Sequence, residues 1–529
     1  MFEGIQRQEL FRFLTISAGL GFQSVIFACI PFLFYRPIIE CYEKTENQQN
    51  FNFFSCNEFD ACNIIHKYQS DNNIFENNSL SSEYEYTDKE NLTQYLIKFI
   101  IPYEKLTSLS IEYNLFCDRK IIEANILAAA LGFQIFGAFL ALVVKIPPYT
   151  AQKIFISMIM LSTLFAVSFN FVDNLYILAG IYCLWNMLYQ FFMSIIYSQI
   201  NQIFSQKIQD YAPSVTNIIW VLVSIIYICG AYFIRDYRTN LGVLSSGISI
   251  LASLFSIYYY DKQLDIDLKQ KYLESRQQLN LEQNGQGYLQ QLFKELLQDY
   301  KIICQNKLMK NNSLSWTLCM TTICVCYTLC IVLLNTLLGN LYVNTLGHNI
   351  LELIGNTLSG YLILIKIELK SSIKKMFIFI GIAYSFSFIM SLVTSTDEQE
   401  VSYFVIFQRI FPILIGKAIH EVAWTFLYTY INDLVEKEQQ QLATAFGQFT
   451  SLVFCTILPY YKYLMEYLQV SSFIILPIIC FFSAYCVKQY MHPINNNSNR
   501  LLLGNEEKSS FNCSKSKVQA IELQELELK

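Results

Sequence analysis

Phe11-Arg-Phe-Leu-Thr-Ile-Ser-Ala-Gly-Leu-Gly-Phe-Gln-Ser-Val-Ile-Phe-Ala-Cys-Ile-Pro-Phe-Leu-Phe34 carries a single charged side chain, Arg12. A hydrocarbon core of about 30 Å is crossed by roughly 20 residues of apolar helix, and this run is long enough. It is too long for a signal-peptide core and no small-x-small cleavage site follows it, so it reads as a retained span. Eleven more such runs can be drawn, at 121–144, 154–172, 175–199, 214–234, 241–260, 314–338, 343–366, 376–393, 401–431, 441–461 and 471–490. Lipid offers no hydrogen bonds, so each span must pair its own backbone as a helix. Composition agrees. Of 529 residues 53% are hydrophobic and 15% charged, where a soluble chain would be about a quarter charged. The net charge of −5 argues against a nucleic-acid partner.

A polar segment, 261–313, divides the spans six and six, and an even number puts both termini on one side. If that side is cytosolic, the short inner loops hold Lys145, Lys153, Lys207, Lys366, Lys370, Lys374, Lys375 and Lys437. The short outer loops hold Arg235, Arg238 and Lys462, so basic residues favour the inside as expected. The insert at 35–120 then lies outside. It carries Cys41, Cys56, Cys62 and Cys117 with the sequons at Asn77 and Asn91, features of an oxidising, glycosylating compartment. The four cysteines allow three disulfide pairings. Further sequons at Asn311, Asn496 and Asn512 fall on the cytosolic side and should be silent. The expected organisation is a six-helix half at 1–260, a linker at 261–313, a second half at 314–490 and a flexible tail at 491–529. Leu289, Leu292, Phe293, Leu296, Leu297, Tyr300 and Ile303 give the linker an amphipathic helix at the membrane surface.

Ionisable residues deep in spans are rare and usually functional. Glu352 lies near the middle of the eighth span, and Lys417, His420 and Glu421 near the middle of the tenth. At about 100° per residue, Arg409, Lys417, His420 and Glu421 share one helix face, and Lys417 and Glu421 are spaced to pair. That pair alone could be a self-neutralised structural contact. His420 can carry a proton at ordinary pH, or serve as a bonded structural histidine. His420-Glu421-Val422-Ala423-Trp424 lacks the second histidine of a zinc protease, and Cys319, Cys326 and Cys330 read as small buried apolar groups, so no metal site is expected. Tyr182, Trp185 and Tyr189 form an aromatic stripe on the fourth span, suited to helix packing or to stacking on a ligand. No nucleotide-binding loop or nucleophile elbow occurs, so neither a cofactor nor an enzymatic activity is expected.

Four short stretches, in order, resemble one transporter family. Glu112-Tyr113-Asn114-Leu115-Phe116-Cys117-Asp118 is similar to E-[WF]-[DN]-L-x-C, and Ala231-Tyr232 through Tyr237-Arg238 to A-Y-x-x-x-x-W-R. Gly339-Asn340-Leu341-Tyr342-Val343-Asn344 through Leu351-Glu352 resembles G-N-x-Y-x-x ending in V-E, and Gly416-Lys417 before Asp433 resembles G-[KR] with its following acid. The chain thus looks like a divergent member of the organic cation/organic anion/carnitine family of the major facilitator superfamily. The family's inner-loop motif is reduced to Lys145-Ile-Pro-Pro-Tyr-Thr-Ala-Gln-Lys153, and Gln202, Gln209 and Gln440 stand where its inner-face charges would be. Removing both signs together leaves no lone ion. Cys455 stands where cation transporters of the family carry an aspartate, so the resemblance does not favour cations.

The resemblance implies an all-α polytopic membrane protein with twelve helices in two pseudo-symmetric halves. Its expected role is secondary or facilitative transport of small organic ions or zwitterions by alternating access, with a proton or another ion as coupling partner. Glu352 and Lys417 match polar positions of the family's translocation path. The competing reading is a transport-inactive relative acting as a receptor or scaffold through its outer loop. The plasma membrane and an endomembrane vesicle are both compatible with the sequence.

Overall fold

The computed structural model describes residues 7–494, except for segments 45–51, 55–61, 63–82, 89–92, 101–105, 116–118, 274–296, 335–339, 394–402 and some isolated positions. The sequons at Asn77 and Asn91 and most of the linker helix lie outside the described residues.

Among the described residues, twelve long helices follow one another. In the first half these are α1 (Arg7–Gln23, continued by the turns Val25–Ala28 and Ile30–Leu33), α2 (Lys120–Val143), α3 (Ala151–Ser168), α4 (Leu175–Ile203), α5 (Gln206–Phe233) and α6 (Ser245–Tyr258). The second half supplies α7 (Lys307–Leu333), α8 (Leu341–Leu364), α9 (Leu369–Val393), α10 (Tyr403–Leu434), α11 (Gln440–Cys455, continued by Leu458–Tyr467) and α12 (Ile475–Tyr490). Among the described residues, 11 helices are long and apolar enough to cross a membrane. The one missing from that number is α8. Its buried face carries Asn344, His348, Asn349, Glu352 and Asn356, while Val343, Ile354 and Tyr361 point outward. It is apolar toward lipid and polar toward protein, so average hydropathy misses it although it spans 24 residues.

The packing repeats with an offset of six helices. α1 lies on α5 as α7 lies on α11, α2 on α4 as α8 on α10, and α3 on α6 as α9 on α12. Two glycines mark the repeat. A Cβ at Gly137 of α2 would overlap the Met187 carbonyl of α4, and one at Gly355 of α8 would overlap the Ala418 carbonyl of α10. Buried side chains form two apolar cores, one mainly from α1 to α6 and the other mainly from α7 to α12. The halves meet where α2 touches α11 and α5 touches α8. The chain is a multi-pass integral membrane protein.

Among its described residues, the insert is built mainly on strands. Strands β1 (Ile38–Lys44), β2 (Asn52–Phe54), β3 (Glu83–Asp88) and β4 (Thr93–Ile100) form one antiparallel sheet in the order β2-β1-β4-β3. In its register Cys41 stands opposite Phe54 on one side and Ile97 on the other. Two of the motif stretches meet where the insert returns to the membrane. The one-turn helix Leu109–Glu112 is capped by the Ser108 hydroxyl, and Asn114 leaves it with φ 51, a left-handed conformation that asparagine tolerates. Arg238 then donates to Glu112 through Nε at 3.1 Å and Nη2 at 2.5 Å, while Tyr237 Oη donates to the same carboxylate at 2.7 Å. Arg238 Nη1 also caps the Phe169 and Val172 carbonyls at the end of α3. These motif residues tie the insert to the first half.

Candidate functional site

Between the halves lies a cavity enclosing about 790 Å³ of space free of protein atoms, counted with its open mouth. Helix α4 contributes Tyr189 and Gln190 to the wall, α5 Asn217 and Trp220, α7 Tyr327, and α10 Trp424 and Tyr428. Their rings are contiguous. Centroids are 5.7 Å apart for Tyr189 and Trp220, 6.4 Å for Tyr327 and Trp424 and 5.5 Å for Trp424 and Tyr428, and Phe27 bridges Trp220 to Tyr327. Amides join the halves across the cavity. Gln190 Nε2 donates to Gln448 Oε1 at 3.4 Å, Ser194 Oγ donates to the same oxygen at 2.9 Å, and Gln448 Nε2 donates to Tyr428 Oη at 2.9 Å.

One wall is ionic. Lys417 Nζ sits 3.1 Å from Glu352 Oε2 and in direct contact with Glu421 Oε1, with the Tyr327 ring face 3.7 Å away. Asn356 Nδ2 donates to Glu421 Oε2 at 3.4 Å, and Thr425 Oγ1 donates to Asn356 Oδ1. His420 approaches Glu421 Oε1 through Nδ1 at 3.2 Å and the Ile323 carbonyl through Nε2 at 2.8 Å. His348 Nε2 is 4.0 Å from Glu352 Oε2, and neither of its ring nitrogens makes a hydrogen bond among the described residues. Lys417, at 1% exposure, is shut behind its partners, whereas Glu352 and Glu421 form part of the cavity wall. No lysine, arginine or histidine lines this cavity among the described residues.

The structure therefore gathers Glu352, Lys417, His420 and Glu421 into one cluster, with Glu352 reaching it across the α8–α10 contact. The Arg409 backbone continues α10, and its side chain lies outside the described residues. The aromatic stripe divides. Tyr189 faces the cavity; Tyr182 Oη donates to the Ile26 carbonyl, and Trp185 Nε1 donates to Gln23 Oε1 while its ring stacks on Phe22. Cys319, Cys326 and Cys330 lie in the second apolar core. Sequence reasoning passed over the wall residues Trp220, Tyr327, Trp424 and Tyr428 and the amides Gln134, Gln190, Asn217 and Gln448. Amides inside otherwise apolar spans were the available signal, because an amide facing lipid would lack partners.

A second ionic cluster lies at the insert-bearing end. Arg36 donates to Glu123 Oε2 through Nη2 at 2.8 Å and lies 3.7 Å from Glu466. Lys120 meets Glu466 at 2.6 Å, and Lys462 lies 3.9 Å from Glu123 and 3.7 Å from Glu466. Arg36, Lys120 and Glu123 precede or begin α2, whereas Lys462 and Glu466 belong to the continuation of α11, so the cluster links the halves. At the opposite end, Gln209 Nε2 donates to the Phe204 carbonyl and Gln440 Nε2 to the Val435 carbonyl, both within their own segments.

No family model matches the sequence, and no curated protein matches it either. Solved structures do. A partially occluded inward-open conformation of the xylose transporter XylE from E. coli superposes with a TM-score of 0.55 at 10% identity, covering 93% of this chain and 100% of that one. An inward-open conformation of the same transporter gives 0.51 at 11% identity, covering 92% and 97%. Identity this low speaks to architecture alone, and it agrees with the six-helix offset in packing: the chain has the major facilitator fold.

Proposed function

We propose that this protein is a secondary transporter that moves a small organic cation by alternating access through the central cavity. One observation carries the sign. Among the described residues, the charged side chains in the cavity wall are the carboxylates of Glu352 and Glu421, set within a box of aromatic faces, while their counter-ion Lys417 lies behind them. Aromatic faces attract cations, and the attraction grows to about 2 kcal/mol or more when the site is dry. An organic anion would instead meet two carboxylates and the negative faces of the rings. Cys455 lines the cavity where the resemblance expects a cation-binding aspartate, and acids on α8 and α10 would supply that charge here.

Placement within the organic cation/organic anion/carnitine branch belongs to the same proposal. So does the topology, with the insert outside and both termini cytosolic. Disulfides among Cys41, Cys56, Cys62 and Cys117 would hold the insert; Cys62 is buried and is not one of the free thiols, and the pairing lies outside the described residues. Mass spectrometry of unreduced protein should find at least one linked pair; four free thiols would overturn the tie.

The deciding experiment is uptake into proteoliposomes of labelled phenyltrimethylammonium, benzoate and a carnitine-like zwitterion. Uptake should be strongest for the cation, and Glu352→Gln should weaken its apparent affinity at least tenfold, about 1.4 kcal/mol. Preference for benzoate would overturn the sign. Transport of none of the three would favour a receptor role through the insert.

A further inference from the structure

We infer that the His420–Glu421 pair holds one exchangeable proton and that an entering organic cation displaces it, making the transporter a cation/proton exchanger; this rests on the cation reading above. The argument is hydrogen-bond accounting. A carbonyl oxygen only accepts, so the 2.8 Å contact between His420 Nε2 and the Ile323 carbonyl requires a proton on Nε2. Nδ1 then faces Glu421 Oε1 at 3.2 Å. A bare ring nitrogen and a bare carboxylate oxygen would place two lone pairs against each other in a buried site. One proton must lie between them, as imidazolium with carboxylate or as imidazole with carboxylic acid. Either way the pair is neutral.

The surrounding groups make that proton decide the charge of the whole cluster. On the same helix, Lys417 contacts Glu421. From α8 come Glu352, which pairs with Lys417, and His348, 4.0 Å from Glu352. From α7 come the Tyr327 ring, stacked on His420 at 6.0 Å, and Cys330, which contacts Tyr384 of α9. Helices α5 and α11 face the site with Asn217, Trp220 and Gln448. Lysine cancels Glu352 and the shared proton cancels Glu421, so the cluster is neutral with the proton and carries one negative charge without it. A buried net charge costs several kcal/mol, so a bound cation and the proton exclude each other. Glu421 is part of the cavity wall, which gives the proton a route to cavity water. The exchange balances as protonated site plus cation giving cation-bound site plus one free proton, with no net movement of charge.

The test uses the full chain and phenyltrimethylammonium, which has no proton of its own to release. In weakly buffered detergent solution with a pH indicator, binding to the wild type should release close to one proton per cation. In proteoliposomes, an inside-acid pH gradient clamped at zero potential should drive accumulation, while a membrane potential without a pH gradient should not. His420→Gln and Glu421→Gln should each bring release close to zero, with the amount of cation bound measured alongside. Binding by the wild type without proton release, or accumulation driven by potential alone, would overturn the exchange and leave the transport proposal standing. Absence of cation binding to the wild type would overturn the cation reading and the exchange with it.

Discussion

Lys417 is held from three directions: by Glu352 of the neighbouring helix, by Glu421 one turn away, and by the Tyr327 ring above it. Removing it leaves Glu352 in a buried wall without a counter-ion, because the proton shared with His420 already offsets Glu421. Breaking a buried ion pair from one side costs about 3–5 kcal/mol, so Lys417→Ala should lower both expression and thermal stability sharply. Lys417→Ala combined with Glu352→Gln leaves no uncompensated carboxylate and should recover much of that loss. Fluorescence-detected melting in detergent compares them, and a double variant no more stable than Lys417→Ala would remove the electrostatic account. Part of this cluster was legible in the sequence, because Lys417, His420 and Glu421 share a face by helical periodicity alone. The Glu352–Lys417 contact was not, since no spacing within one helix reports which other helix packs against it. The amides and aromatic rings were hidden for a different reason: singly, each looks like an ordinary packing residue.

At the scale of elements, α8 carries its polarity inward. A helix of that kind persists in lipid only if its polar face is covered, and α10 and α5 cover it. The closeness of α8 and α10 depends on Gly355, whose missing side chain makes room for the Ala418 carbonyl. Gly355→Val would force the helices apart beside Glu352 and Glu421. Overpacking of this kind costs about 1–3 kcal/mol, and affinity for the proposed organic cation should fall together with stability. A Gly355→Val protein that binds phenyltrimethylammonium with wild-type affinity would show that the site tolerates the displacement. The spans were readable because roughly 20 apolar residues in lipid have one solution, a helix. The sheet of the insert went unread, although Glu83-Tyr-Glu-Tyr-Thr-Asp88 alternates with the period of two that marks a strand.

At the scale of the whole molecule, the question is what holds the halves together at each end. The glutamines at the end away from the insert bond to their own segments, in place of the charges that the family resemblance leads one to expect there. The insert-bearing end does carry charges, and they cross the interface: Arg36, Lys120 and Glu123 on one side, Lys462 and Glu466 on the other. Lys462 also donates to the Val332 carbonyl at the end of α7. Ion pairs made in one conformation and broken in the other bias the equilibrium by their differential strength alone. Under the alternating access proposed above, this cluster should therefore hold the insert-bearing end shut and favour the state open at the other end. Glu466 is the acid that Lys120, Lys462 and Arg36 share, so Glu466→Gln should weaken the latch while leaving the central cavity unaltered. A shift of about 1.4 kcal/mol would raise the population of the opposite state tenfold. Cys324, a cavity-lining thiol, reports that shift: a membrane-impermeant maleimide added on the insert side should label it about tenfold faster in Glu466→Gln than in the wild type. An unchanged rate would mean that the apolar contacts between α2 and α11 close that end without help from the charges.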